Sequence, residues 1–574
     1  MKRKAGVLSN SELVSDRDAA NRRMNDMVRE LASFRSHYRE LSEFTAPRRG
    51  RFFVEDRNRG EKRHKSILNS HATTALRRAT SGMMAGAMSP SRPWFGWDMM
   101  DKDVLNDPEV AQWLELLKHI VYTIFNKGNF YNMAPTMLKE LLLFGTGAMT
   151  HEDDFEDVAR FYAHTAGEYM IATDSRQEPG TFGRKVQMQA YQIVQKFGLA
   201  NVSMAVENNF KNKNHGAWHT VNHLIELNPF RDETEAKFSS EFQVYRSIYW
   251  EENTKNATDK HKFLRRRGYK GFPVYVPRWE VTGNDTYGTE CPGMIVLGDT
   301  KQLQVQEREL AKLLARTAVP PLQAPPSARN HPIANLPGGV TINTSGTGKY
   351  EKLYDSTDPR IAELGRDIER TERRISSGYY NDLFRAITDM EGIQPKNQLQ
   401  LSQINEERLL ELGPVLEQVH GGWLAPCVQR VVRQVLDAGI MPPIPAKLEG
   451  QDLGLEFISA LAMAQRSVAT SAIEKTVGFT GMLAQVGVDV TGNIDGDYAL
   501  REYASLVGGP VQLIRPQKDI DAAREQAAQK QQAAEAMEMA NQGAQAAATA
   551  SQASLEEGNV LSEAVRGAAD SAGA

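Results

Sequence analysis

The apolar positions of this chain follow two different periods. Met24, Met27, Val28, Leu31, Phe34, Tyr38 and Leu41 recur at steps of three and four, which predicts a helix with one buried face. Leu68, Ala72, Leu76, Ala79 and Met83 repeat the spacing in a second helix, which Ser89-Pro90-Ser91-Arg92-Pro93 must stop. A third runs along Val110, Trp113, Leu117, Ile120 and Ile124, and a fourth along Met133, Met137, Leu141 and Phe144, ended by Gly145 and Gly147. From 148 to 280 the pattern shortens to β-rich runs. Phe242 to Trp250 alternates most clearly, as suits a strand with one buried face.

The middle of the chain returns to helical spacing. Leu303, Leu310, Leu314 and Thr317 predict a helix over 299–317. Ile361, Leu364, Ile368, Thr371, Ile375, Tyr379, Leu383 and Ile387 predict a longer one over 358–390. At 1.5 Å per residue these are roughly 30 and 50 Å long. Between them lies a stretch with Pro320, Pro321, Pro325, Pro326, Pro332, Pro337, Gly338 and Gly339. A structureless loop of that length is improbable inside a compact domain, so it reads as a small module or binding element, with a plain flexible linker as the alternative. A helix over 402–438 carries Leu409, Leu412, Leu416, Val419, Val431 and Val435, and Gly413-Pro414 should kink it. Two or three further helices reach about 507, and the tail from 517 is rich in Ala, Gln and Glu. Such a tail is marginal alone and gains packing only against copies of itself. The fold class is therefore α+β, mainly α.

Bulk properties narrow the partners. With 574 residues, 41% hydrophobic and 24% charged, the chain can bury a core across several structural units. A net charge of −4 gives no global signal for nucleic acid, so any DNA partner should be held loosely. The basic stretch Arg48 to Lys65 reads as a loop or solvated face, with a DNA patch as the alternative. Cys291 and Cys427 lack metal-ligand spacing and are expected to be buried thiols. Lys2-Arg3-Lys4 precedes no apolar stretch, so no secretory signal is expected, and no run is long enough to span a membrane.

Catalytic and cofactor signatures fail on inspection. Gly346-Thr347-Gly348-Lys349 has Asn343 where a phosphate loop needs its first glycine, and Tyr350 where it needs a hydroxyl for magnesium. The acidic cluster His151-Glu152-Asp153-Asp154 with Glu156-Asp157 lacks the paired helical histidines of a zinc site and reads as a solvated charged turn. The segment from Asp489 to Asp497 places Ile494 at the glycine position of a calcium loop and reads as a capped turn. No enzyme activity, metal or cofactor is expected.

Several segments resemble one family. These are Ala79-Thr80-Ser81-Gly82-Met83-Met84 running on to Ser89-Pro90-Ser91-Arg92-Pro93-Trp94-Phe95; Phe144-Gly145-Thr146-Gly147-Ala148; and Arg278-Trp279 with Tyr287-Gly288 and Pro292-Gly293. Pro320-Pro321-Leu322, Glu411-Leu412-Gly413-Pro414 and Ile458 to Arg466 complete the series. In this order, from about 15 to 515, they resemble the portal, or head-to-tail connecting, proteins of podoviruses (short-tailed bacteriophages). The Thr289-Glu290-Cys291 insert departs from the family's shorter, glycine-containing link before the proline.

The resemblance implies a portal fold and a ring, usually of twelve subunits, at one capsid vertex of the virion, assembled in the host cytoplasm. On that basis 1–297 is an α+β wing, 298–318 and 358–390 are stem helices, and 319–357 is a clip. Residues 391–440 would hold a tunnel loop and a kinked wing helix, 441–516 a crown, and 517–574 a barrel-like tail. Partners would be double-stranded DNA passing without sequence preference, the terminase large subunit, a tail adaptor, and the major capsid and scaffolding proteins. Arg329, His331, Asn335, Lys349 and Tyr350 are the clip residues expected to meet the adaptor and motor. Gln394, Lys396, Asn397, Gln398 and Gln400 are expected to line the tunnel, an ordinary polar turn being the alternative. A different virion ring such as an adaptor is usually shorter, and an ATP-driven packaging enzyme would need the missing phosphate loop. A nucleic-acid-binding regulator fits the acidic balance poorly.

Overall fold

The computed structural model describes residues 10–52, 60–318 (apart from 106, 155, 253–258 and 260), 322–323, 351–352, 360–382, 413, 415–458 (apart from 452) and scattered helical positions between 473 and 545. Two compact units divide the chain, 1–465 and 466–574. The second is described only at those scattered positions.

Helix α1 (Asn10–Thr45) buries Met24, Met27, Leu31, Tyr38 and Leu41, the stripe its spacing predicts. Helix α2 (His71–Met88) buries Ala72, Leu76, Ala79 and Met83, but Leu68 precedes it and is 55% exposed. Strand β1 (Phe95–Asp98) follows the proline-rich stop. Helix α3 (Pro108–Lys127) starts at Asp107, whose carboxylate accepts from the Glu109 N–H, with Pro108 in the first turn where a missing donor does no harm. Helix α4 (Phe130–Phe144) ends at Gly145, which adopts the left-handed conformation at φ 74°. Gly147 is not part of that stop; its backbone packs against Met137.

The β region holds two antiparallel sheets. Strands β2 (Ala148–Asp154), β3 (Val158–His164) and β9 (Val274–Tyr275) form one, ordered β3-β2-β9. Strands β4 (Tyr169–Thr173), β5 (Pro179–Gln189), β6 (Trp218–Leu227), β7 (Tyr245–Glu251) and β8 (Arg265–Tyr269) form the other in sequence order. The strand expected over 242–250 starts at Tyr245, Phe242 lying in a short 3-10 turn, and it is buried on both faces. Ile248 and Trp250 enter the main core, whereas Tyr249 joins Val221 and Leu264 in a second, smaller core. That smaller core is closed by two helices the β-rich pattern concealed, α5 (Ala190–Phe197) and α6 (Met204–Lys211), through Ile193, Phe197 and Val206.

The acidic cluster is a turn only at Glu156 and Asp157. His151 to Asp154 belong to β2, and His151 is fully buried with Nδ1 2.7 Å from the Tyr275 hydroxyl. Burial pushes its imidazole well below the usual range, so it is neutral. Cys291 and Cys427 are free and buried, and burial raises the Cys291 thiol to about 12. No described helix is long and apolar enough to cross a membrane.

After α7 (Pro292–Ile295), helices α8 (Leu297–Ala318) and α9 (Arg360–Gly378) flank strands β10 (Leu322–Gln323) and β11 (Glu351–Lys352). The long helix expected over 358–390 is interrupted: Tyr379 and Tyr380 form a turn, and Tyr380 has φ 55°. Gly378 approaches Val296 so closely that a Cβ there would overlap its side chain, which fixes the helix end against the start of α8. Its predicted seam holds, with Ile368, Thr371, Ile375 and Tyr379 buried. On α8, Leu303 is buried but Leu314 is 50% exposed.

Helical residues 415–419 continue into a π-helical turn, His420–Leu424, and then α10 (Ala425–Asp437). A π turn places one extra residue in the ladder, and here Gly422 lies against Pro277 while Trp423 and Leu424 are buried. Gly413 is helical; Pro414 lies outside the described residues. The segment from 441 does not begin a separate layer, because β12 (Gly454–Phe457) pairs antiparallel with β1, Phe95 opposite Phe457. Phe457 stacks on His420 at 3.9 Å and on Trp94 at 6.4 Å, tying this strand into the first unit.

Candidate functional site: a helical hairpin and the segment it carries

Helices α8 and α9 form an antiparallel hairpin. Asp299 pairs with Arg374 at 3.0 Å near one end, and Gln306 donates to Asp367 at 2.5 Å further along. Beyond the helices, Leu322 stands opposite Lys352 and Gln323 opposite Glu351. The chain therefore leaves the body along α8, is still paired with its return at β10 and β11, and comes back along α9.

A polar clamp fixes the root of the hairpin. Asn69 donates from Nδ2 to Glu307 of α8 at 2.7 Å and to Glu372 of α9 at 2.9 Å. Its Oδ1 accepts from the His71 N–H at 2.8 Å, at the start of α2. Gln304 completes the clamp: Oε1 accepts from the Leu68 and Asn69 N–H groups at 2.6 and 2.9 Å, and Nε2 donates to the Asn69 carbonyl at 3.0 Å. His71 Nε2 lies 2.8 Å from the Ser376 hydroxyl. One short segment before α2 thus holds both helices at once, which orients the hairpin as a rigid arm rather than a tether.

The outward faces of the arm are basic. Three- and four-residue steps put Arg366, Arg370 and Arg373 opposite the buried seam of α9, and all three are exposed. Arg308 and Lys312 stand likewise on α8. Arg373 and Lys312 have carboxylate neighbours, Glu369 at 3.7 Å and Glu309 at 2.7 Å, which are weak ties at the surface.

The residues singled out in the sequence for the clip (Arg329, His331, Asn335, Lys349 and Tyr350) lie outside the described residues. So do Gln394, Lys396, Asn397, Gln398 and Gln400 of the tunnel loop, and so does most of the segment from Asp489 to Asp497. The basic stretch after α1 is partly structural: Arg49 turns inward, 3.4 Å from the fully buried Glu140. Glu140 also accepts from the Thr165 hydroxyl and the Ala166 N–H, both at 2.9 Å. Nothing in the sequence pointed to the clamp, since Asn69, Gln304 and Glu372 are far apart and of common type. Among the described residues no group of three or more His, Cys, Asp or Glu could hold a metal ion.

Relatives match along nearly the whole chain. A family model described as bacteriophage head to tail connecting protein matches residues 17–514. The chain is 36% identical over 549 residues to the portal protein of Salmonella phage epsilon15, covering 95% of this chain and 97% of that one. It is 35% identical over 546 residues to the probable portal protein of Bordetella phage BPP-1, again covering 95% and 97%. Among solved structures, a chain from the neck of an empty gene transfer agent particle matches at 11% identity and TM-score 0.37, over 81% of this chain and 98% of that one.

Proposed function

The chain belongs to the bacteriophage head-to-tail connecting protein family, and from that premise we propose that copies of it close into a ring at one capsid vertex through which double-stranded DNA is packaged and ejected. The observation that carries this reading is the clamped hairpin. An arm held at its root can present the 324–350 segment at a fixed place in every subunit, and a ring of such segments is a docking platform for a packaging terminase and later a tail adaptor. The major capsid and scaffolding proteins would surround that ring in the virion. In this reading the arm is the stem and 319–357 the clip; of the crown expected over 441–516, the part up to β12 is paired into the first unit, and the tail starts at 517.

The electrostatics support loose handling of DNA. The chain as a whole carries −4, so tight collective neutralisation of phosphates is not available to it, yet the arm's exposed arginines give local attraction. Negative-stain images of the purified protein should show rings with a central hole. Deleting 325–350 should leave those rings intact and abolish adaptor attachment. Normal adaptor binding by such rings would remove the clip assignment, and compact monomers from the intact chain would remove the ring itself.

The tunnel loop is proposed for 392–400, which joins the stem to the next helix. Amide side chains there give transient hydrogen bonds, and Lys396 is the one cation in the segment. Replacing Gln394, Asn397 and Gln398 together with lysine should slow DNA passage at low salt, with partial recovery as salt rises. Unchanged transport by verified rings of that triple variant would place the loop elsewhere.

A further inference from the structure

The five-stranded sheet carries a row of side chains that the conduit reading does not use. Arg184 of β5, His223 of β6, Tyr249 of β7 and Arg265 of β8 stand opposite one another in register, so they share one face of the sheet. The His223 ring lies flat on Tyr249 at 3.8 Å, and the Arg265 guanidinium sits 4.8 Å from the Tyr249 ring centre. Lys196 of α5 brings its ammonium to 5.4 Å from the same ring. A cavity of about 580 Å³ opens at this row, lined by Arg184, Lys196, His223 and Tyr249, with the amides of Gln187 and Gln195 beside them.

Among the described residues the charges at this cavity do not balance. Arg184 and Lys196 line it, and Arg265, behind the Tyr249 ring, brings a third cation whose charge reaches both Lys196 and His223. The carboxylate facing them is Glu152, which lies 3.5 Å from the Tyr249 hydroxyl. Glu168 also acts on Arg184, but it has Arg51 at 3.9 Å. His223 adds no charge, because burial and then Arg184, Lys196 and Arg265 hold its imidazole well below the usual range. Arg184 spends Nε on His223 Nδ1 at 3.3 Å, whereas the buried Nε of Arg265 has no hydrogen-bond partner. Excess positive charge beside a low-dielectric wall is costly unless an anion offsets it, and guanidinium with ammonium is the donor set that suits phosphate oxygens.

We propose that this cavity binds a small phosphate-bearing dianion, either inorganic phosphate or a phosphomonoester. The excess of two positive charges matches such a group. The remaining volume, bordered by amides, gives an ester's polar substituent partners for hydrogen bonds.

The test uses the full-length protein, titrated calorimetrically with sodium phosphate and, separately, glycerol 3-phosphate, at ionic strength held constant with sodium chloride. Saturable binding of one or both is expected, and tighter binding of the ester would identify it as the occupant. Lys196→Gln should weaken binding about tenfold, Lys196→Arg should retain it, and Lys237→Gln, at an exposed lysine outside the cavity lining, should leave it unchanged. Arg265→Gln should match Lys196→Gln where circular dichroism shows the sheet intact; if that variant fails to fold, Lys196→Gln decides. No saturable binding of either probe, or equal binding by Lys196→Gln, overturns the proposal.

Discussion

Gly288→Ala should sharply lower the thermal stability and soluble yield of the chain. A Cβ at Gly288 would overlap the Gly145 carbonyl, and neither backbone is free to withdraw. Gly145 O already accepts from the Trp279 N–H at 2.8 Å, and the Gly288 N–H donates to the Thr146 hydroxyl at 2.8 Å. Gly145 is itself fixed at φ 74° as the stop of α4. Relief must therefore break a hydrogen bond or shift the α4 stop, at a cost of about 3 kcal/mol or more. Gly298→Ala is the matched control, since nothing lies within 4 Å of its Cβ position and alanine favours the helix there. Thermal unfolding and soluble yield measure both; equal behaviour of the two variants would disprove the packing argument.

The second large effect is expected at the hairpin root. Asn69→Asp replaces the shared donor between Glu307 and Glu372 with a third carboxylate. Two hydrogen bonds disappear and like charges are crowded together, which at this half-buried site should cost about 2 kcal/mol at neutral pH. Crowding raises the folded-state pKa of such a trio above its unfolded value. The penalty is thus fully present above the raised pKa and fades as pH falls through the carboxylate range. Asn69→Ala loses the bonds without the repulsion, so its smaller defect should be flat over the same range. Denaturation midpoints measured from pH 8 down to pH 5 separate the two, and a pH-independent Asn69→Asp defect would contradict the clamp.

What the sequence revealed depended on the length of each pattern. The stripes of α1, α2, α3 and α4 were legible because one apolar face repeats over four or more turns. The eight-residue helices α5 and α6 were not, because two turns give too few positions to distinguish them from strands. Missing them also hid the second buried face of β7. His151 looked solvated because acidic neighbours surround it, yet alternation along β2 turns it inward to Tyr275. The motif glycines at 145 and 288 could be recognised as family-like, but their reason is a contact between segments more than a hundred residues apart. The seam of α9 was read correctly and its end was not, since Val296 supplies the stop from outside the helix. For the candidate site, the hairpin was legible from two amphipathic helices around a proline-rich insert, whereas the clamp belongs to tertiary structure alone.

The pairing of β1 with β12 has a consequence for how the chain is made. Phe95 cannot meet Phe457, nor Trp94 accept the Ile458 N–H, until both ends of that span have left the ribosome. At ordinary rates of synthesis this leaves the β1 edge unpaired for roughly 20 to 70 s. Its neighbours in the finished protein include Trp94, Phe95 and Trp97, an aromatic group that would attract other nascent chains. Tyr122 can shield it meanwhile, because its hydroxyl already accepts from the Trp94 and Phe95 N–H groups at 2.7 and 3.0 Å and α3 is translated only a few residues later. That early contact within one chain would keep the edge covered until β12 emerges to close it.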